Sequence, residues 1–362
     1  MFDLNIPRDI LRQNFPSQNL RITDFLTFEL PLATNILVEN NRTNISNEHP
    51  SASTNDIHST LSSAAPSPSV VRDLLDHIRS ASPPTARSVA LKVVESGEIK
   101  HFPLWLITYW NELNHIIENQ RCWSLADQSL RKLHLLGNAT QELVDTTYQA
   151  LSNLPWSGPI RGFSDQEEII HLHKYATTGW LTTVHENQML DLLKHDISNH
   201  GTQVIIQSTY FIQTLRQAFY HYRKNSSAGP LHDIGQSLAS GVKACIGTIV
   251  NCRDTHWAAI VVDFSHRVIW HRDSLNWQMD PELKQVLEWW IREHTSASFA
   301  YKKLPITYQQ DDYSCGLLAW NALSHFFLPI DHPLIDPSDV ATARLRVLLR
   351  ICKQHQNQVS WL

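Results

Sequence analysis

Cysteine is scarce in this chain of 362 residues, and its placement excludes two architectures. The five are Cys122, Cys245, Cys252, Cys315 and Cys352. The number is odd and no C-x-x-C pair occurs, so neither a disulfide framework nor a zinc cage is expected. Free thiols of this kind fit a reducing compartment, nucleus or cytoplasm. Charge of one sign is also lacking. The formal net charge is −5 with a pI near 6.5, so bulk charge argues for neither a nucleic acid nor a membrane surface as partner. Long hydrophobic runs are absent; the longest are broken by polar residues well short of a membrane span. The first residues, Met1-Phe2-Asp3-Leu4-Asn5, lack the basic and apolar regions of a signal peptide. In that context Asn138-Ala139-Thr140 is a sequon by chance, and its expected role is to cap a helix. No internal repeat is present.

What the chain does have is a hydrophobic fraction of 42%, enough to fill a sizeable core. Residues 1–41 show no firm period. Residues 42–87 are rich in Ser, Asn, Pro, Ala and Thr and read as a flexible linker, because such a stretch buries little apolar surface against its ordering entropy. One island inside it, Ser69 to Ile78, carries its apolar residues on one helical face with Ser69 as N-cap. It is expected to dock on its own protein rather than on a partner. Residues 88–155 read as a helical extension. Pro103 suits a first helical position, Leu104, Ile107, Trp110 and Leu113 recur at helical spacing, and Gly137 suits a C-cap.

From residue 156 the texture changes to an α+β pattern. Glu186 to His195 reads as a helix, and Val204 to Phe211 as a strand followed by a helix. Ser226 to Pro230 reads as a surface loop. Three short apolar runs follow, Ile246–Val250, His256–Asp263 and Arg267–Asp273, and the last two form a hairpin. Pro281–Glu293 is helical, Phe299–Leu304 a strand, and Ser338 caps a final helix. Strands set between helices make this half of the chain an α+β domain.

Chemistry concentrates near residue 315. Cys315 opens an apolar run at helical spacing: Leu317, Leu318, Trp320, Leu323 and Phe327. A thiol in the first turn of a buried helix faces free backbone N–H groups and the positive end of the helix dipole, and both favour the thiolate. An imidazole is the side chain suited to take its proton near neutral pH, and a carboxylate behind the ring fixes the tautomer. His256 begins one strand and Asp273 ends its hairpin partner, so antiparallel pairing brings those ends together. Gln309 supplies an amide donor for an oxyanion. Each residue alone has a plainer reading. Cys315 alone is a core cysteine, and His256 is one of 20 histidines. Gln310 rivals Gln309, and Asp263 rivals Asp273 from the far end of the strand. Cys245 and Cys252 read as packing residues, and His171-Leu172-His173 as a solvated face rather than a metal site.

His256-Trp257, Asp273-Ser274-Leu275 and Gln309 six residues before Cys315-Gly316 resemble the ubiquitin-like-protein-specific cysteine proteases, the SUMO protease family. Trp180-Leu181 resembles that family's early Trp-Leu element. The resemblance covers residues 156–362. The chain departs from the family at Ser314, where Asp is usual, at Asp311-Asp312-Tyr313, which lacks the usual Gly, and at Thr182-Thr183, so it resembles a divergent member. The resemblance implies a papain-like fold with a central mixed sheet flanked by helices. It implies Cys315 as nucleophile, His256 as base, Asp273 as its partner, and Gln309 with the Cys315 N–H as oxyanion hole. Trp180 and Trp257 would wall a narrow tunnel for a Gly-Gly tail. No metal or cofactor is implied, and the partners would be a ubiquitin-like modifier and its protein conjugates. Two other readings of these residues remain at this point: an acyltransferase using the same triad, and an inactive modifier-binding module.

Overall fold

The computed structural model describes residues 4–31, 45–63, 65–80, 86–92, 98–201, 203–221 and 229–359. The chain divides into two compact units, residues 1–125 and 126–362.

The first unit holds a small antiparallel sheet, β1 (Ile45–Ser46), β2 (Ser88–Lys92) and β3 (Ile99–Pro103), with Val89 opposite Phe102. Around it lie α1 (Arg8–Asn14), α2 (Ile22–Phe25), α3 (Thr54–Ser63) and α4 (Pro68–Ser80), and α5 (Trp105–His134) begins here. This corrects two expectations. The stretch expected to be a flexible linker contains α3 and α4, and Leu61, Val71, Leu74 and Ile78 are buried against Val89, Phe102 and Trp110. Composition averaged over 42–87 hid two short amphipathic helices whose apolar faces a core can bury. Ser69 lies inside α4 rather than capping it. The stretch expected to be all helical begins with two strands, and Pro103 ends β3 instead of opening α5.

In the second unit α6 (Asn138–Leu151) starts at Gly137, which sits at φ +139° and caps the new helix rather than closing the old one. A 3-10 segment (Ile169–Ala176) leads to α7 (Thr183–Asn199). The central sheet has the order β4-β5-β6-β7-β8, from β4 (Val204–Ile206), β5 (Cys245–Cys252), β6 (His256–Asp263), β7 (Val268–Asp273) and β8 (Ala300–Lys303). Its outer pairs are parallel and its inner pairs antiparallel, a mixed sheet. Helices α8 (Tyr210–His221), α9 (Pro230–Ala239), α10 (Pro281–His294), α11 (Cys315–Phe327) and α12 (Val340–Val359) complete an α+β domain. Sheet and helices meet in a core that includes Phe211, Ile246, Ile260, Ile269, Leu287 and Trp290.

Two local differences from the sequence reading have physical causes, and one expectation falls outside the described residues. β4 stops at Ile206 because the Asn187 side chain accepts from Thr209 N and Oγ1, each at 3.0 Å, and the chain then turns into α8. The loop expected at Ser226 to Pro230 lies outside the described residues up to 228, and Pro230 opens α9. Ser338 does not cap the last helix: it lies in a 3-10 turn (Pro337–Asp339) before it, which Asp336 caps by accepting from Ser338 N at 2.9 Å. No helix among the described residues is long and apolar enough to cross a membrane.

Candidate active site

The β6–β7 register decides the first contact. Ala258 pairs with Asp273, so His256, two residues earlier on the same face, is the diagonal neighbour of Asp273. His256 Nε2 stands 2.8 Å from Asp273 Oδ1, although no acceptor lies in line with its N–H. Loose alignment of this kind is common before substrate binds. Asp273 is held in turn by Leu275 N, which donates to Oδ1 at 2.6 Å. The rival Asp263 is engaged elsewhere, accepting from Ser265 Oγ at 2.7 Å and lying 2.8 Å from His266 Nδ1.

Cys315 is the first residue of α11, and Ser314 before it makes no side-chain cap. Asp311 shapes the approach by accepting from Tyr313 N and Ser314 N at 2.9 and 2.8 Å. The His256 ring lies within hydrogen-bonding reach of the Cys315 sulfur. Burial alone would push the imidazole's pKa down. The hydrogen bonds and charges of Asp273 and Cys315 outweigh it and hold the ring up at about 9, so His256 is an imidazolium at neutral pH.

Gln309 reaches the same corner through Ser274. Its backbone N donates to Ser274 O at 3.2 Å, and Ser274 Oγ donates to Gln309 Oε1 at 2.7 Å. The carboxamide is thereby oriented, with one Nε2 hydrogen on Asp311 O at 2.9 Å and the other left for a ligand. Gln310 is exposed. The two tryptophans differ. Trp180 is 50% exposed, whereas Trp257 is 5% exposed and donates from Nε1 to Leu181 O at 2.9 Å. Trp257 therefore packs beneath the Trp180-Leu181 turn. Among the described residues no group of three or more His, Cys, Asp or Glu is placed to hold a metal ion.

Four more residues shape this site. Ser274 orients Gln309, and the Trp277 ring lies 4.9 Å from that of His256, tilted by 45°. Arg344, buried in α12, donates from Nη2 to Lys174 O at 2.5 Å and Gly179 O at 2.7 Å, and lies over the Tyr313 ring at 5.5 Å. It thus ties the turn before Trp180 to the segment before Cys315, and burial brings its pKa down to about 10. Glu186 in α7 is 0% exposed, and neither carboxylate oxygen has a hydrogen-bond partner. It fills the space over Gly316. A Cβ there would collide with Glu186 Oε1 and lie 3.3 Å from Trp257 Cδ1, which is why glycine follows the cysteine.

Burial first, and the Cys315 charge second, hold the Glu186 carboxyl well above its ordinary 4.5, while Arg344 opposes them. The acid stays neutral in the fold but ionises in the unfolded chain above 4.5, so stability falls as pH rises from there toward the folded value. Glu186→Gln is expected to stabilise the fold at pH 7 by about 1–3 kcal/mol and to change it little at pH 4. Denaturant melts at both pH values check this; equal effects at both would remove the buried acid as the cause.

Residues 179–355 match the model of the Ulp1 protease family, C-terminal catalytic domain. No curated protein matches the chain. Similar solved structures include the C-terminal Ulp1 protease domain in complex with Smt3, the yeast ortholog of SUMO, at 18% identity over 59% of this chain and 95% of that chain, TM-score 0.42. The Chaetomium thermophilum Ulp1-like SUMO protease catalytic domain is 13% identical over 59% of this chain and 88% of that chain, TM-score 0.46. The Xanthomonas campestris effector protein XopD bound to ubiquitin is 21% identical over 47% of this chain and 92% of that chain, TM-score 0.29. Residues 179–355 form a cysteine-peptidase domain of the Ulp1 type.

Proposed function

We propose that this domain hydrolyses the peptide or isopeptide bond after the C-terminal Gly-Gly of a ubiquitin-like modifier, a SUMO-like one first. The observation that carries the reading is the meeting of His256, Asp273 and Cys315 at one tip of α11, with the imidazole held as a cation. Cys315 Sγ attacks the terminal glycine carbonyl. Gln309 Nε2 and the Cys315 N–H donate to the oxyanion that forms. The His256 imidazolium passes its proton to the leaving amine as the C–N bond breaks, leaving a thioester on Cys315. His256, now neutral, takes a proton from water; the hydroxide attacks the thioester carbonyl, the C–S bond breaks, and the modifier leaves as a carboxylate. Trp180, half exposed at the turn that Trp257 holds through Leu181 O, would pinch the extended tail so that only residues without a Cβ pass. No metal or cofactor enters these steps.

A panel of C-terminal electrophile probes built on SUMO, ubiquitin and related modifiers tests the reading. A SUMO probe is expected to form a covalent adduct at Cys315. An adduct with ubiquitin alone would reassign the modifier. Acetyl-CoA turnover without any adduct would replace the peptidase by an acyltransferase, and binding without either reaction would leave a modifier-binding module.

The mechanism also sets a pH dependence. The acid step needs the imidazolium, so kcat/KM is expected to fall as pH rises through about 9. The linkage has the same sign. Stability from the charged ring is fully present below the ordinary 6.5 and is lost as pH rises through about 9. Asp273→Asn removes the main group holding the proton, so the alkaline limb should move down by about one pH unit or more. A limb that stays in place would detach Asp273 from His256.

A further inference from the structure

Trp277 lies in the loop between β7 and α10 and is 43% exposed. The loop doubles back at once, with Asn276 at φ +62° donating from N to Asp273 O at 2.9 Å. This returns the Trp277 indole over the end of the sheet, where its ring centroid is 4.9 Å from that of His256 with the planes 45° apart. Over the indole also lies Arg253, from the β5–β6 turn at φ +57°, whose Cζ is 5.5 Å from the indole centroid. The His256 side chain is almost wholly buried, and a half-exposed indole packs against it, clamped by a guanidinium from a different turn.

We propose that Trp277 is a positioning residue for His256: its π-face stabilises the imidazolium and shields it from water, and Arg253 holds the indole in place. This rests on the catalytic reading of His256 given above. A cation against an indole face is stabilised by the ring quadrupole, more so when water is excluded. The other charged or titratable groups facing the pair are Asp273 from β7, Cys315 from α11 and, behind Cys315, Glu186 from α7. Asp273 Oδ1 stands 2.8 Å from the ring's Nε2, and Cys315 lies within reach of the ring. Trp277 meets the ring as a tilted aromatic neighbour, the one contact of that kind to His256 among the described residues.

Two measurements that need no substrate test this. A protonated imidazole quenches a stacked indole, so emission from Trp277, taken as the difference between the wild-type protein and Trp277→Phe, is expected to rise as pH passes about 9. The step should be absent from the His256→Gln background. Iodoacetate, an anion, alkylates a thiolate faster beside an imidazolium. Its rate at Cys315, followed by peptide mass, is therefore expected to fall on the alkaline side in the wild-type protein. In Trp277→Ala that fall should come about half to one pH unit lower, in Trp277→Phe much less so, and in Arg253→Ala by an intermediate amount. A fall that stays in place in Trp277→Ala, with no emission step assigned to Trp277, would overturn the proposal and leave a surface aromatic. If the wild-type rate is indifferent to His256→Gln, the catalytic pair itself fails, and that result is distinct.

Discussion

Cys315→Ala is expected to lower turnover by at least about 10,000-fold while leaving the fold in place. The argument has two halves. First, no other thiol can substitute. Cys245, Cys252 and Cys352 have pKa values pushed up to about 12 by burial, so they are thiols at neutral pH. Cys122 belongs to α5 in the other unit, where its Sγ donates to Glu118 Oε1 at 3.7 Å. Second, the sulfur is not a structural keystone. Cys315 opens α11, whose first turn is closed by Leu318 N donating to Ser314 O at 3.0 Å, a bond that does not involve the sulfur. Alanine suits a helix start, and the loss is expected to stay near 1 kcal/mol. Hydrolysis of a modifier fusion, adduct formation with the probe and a thermal melt separate these halves. Retained hydrolysis with an intact melt would take the nucleophile away from Cys315, and a collapsed melt would make the sulfur structural.

The parts of this site legible in the sequence are those that local periodicity fixes. Alternating apolar runs separated by turn residues set β6 and β7, and a hairpin leaves little choice about which ends meet. His256 and Asp273 could therefore be paired before any coordinates. The apolar period after Cys315 likewise placed it at a helix start. What stayed hidden depends on contacts between distant segments. Arg344 sits in an amphipathic helix and looks like any surface arginine until its Nη2 is seen on the carbonyls of Lys174 and Gly179. Trp277 follows Asp273 by four residues, yet only the turn at Asn276 sends it back over His256. Trp257 was expected in a tunnel wall and is largely covered, its N–H spent on Leu181. In the first unit the failure was one of averaging. Ser- and Pro-rich composition outvoted Leu61, Leu74 and Ile78, three side chains enough to seat two helices on a core.

Gln309→Ala is expected to lower kcat about 100- to 1,000-fold with little change in modifier binding. The magnitude follows from when the amide acts. In the proposed mechanism Nε2 donates to an oxygen that carries full charge only after the sulfur has attacked, so its contribution is to the transition state and not to the bound ground state. Orientation makes the prediction specific. A free carboxamide could present either end, but Ser274 Oγ donates to Oε1 at 2.7 Å and Gln309 N is tied to Ser274 O at 3.2 Å, which turns the NH2 group toward Asp311 and the α11 tip. Gln309→Glu should therefore fail as badly as alanine, since a carboxylate in that position repels the oxyanion. Ser274→Ala should fall between, about 10-fold down in kcat, because the donor survives but loses its orienting bond. Single-turnover kinetics with a modifier fusion give the split between kcat and binding. Equal losses in both for Gln309→Ala would make the residue a binding contact, and a silent Ser274→Ala would mean that Asp311 alone is enough to aim the amide.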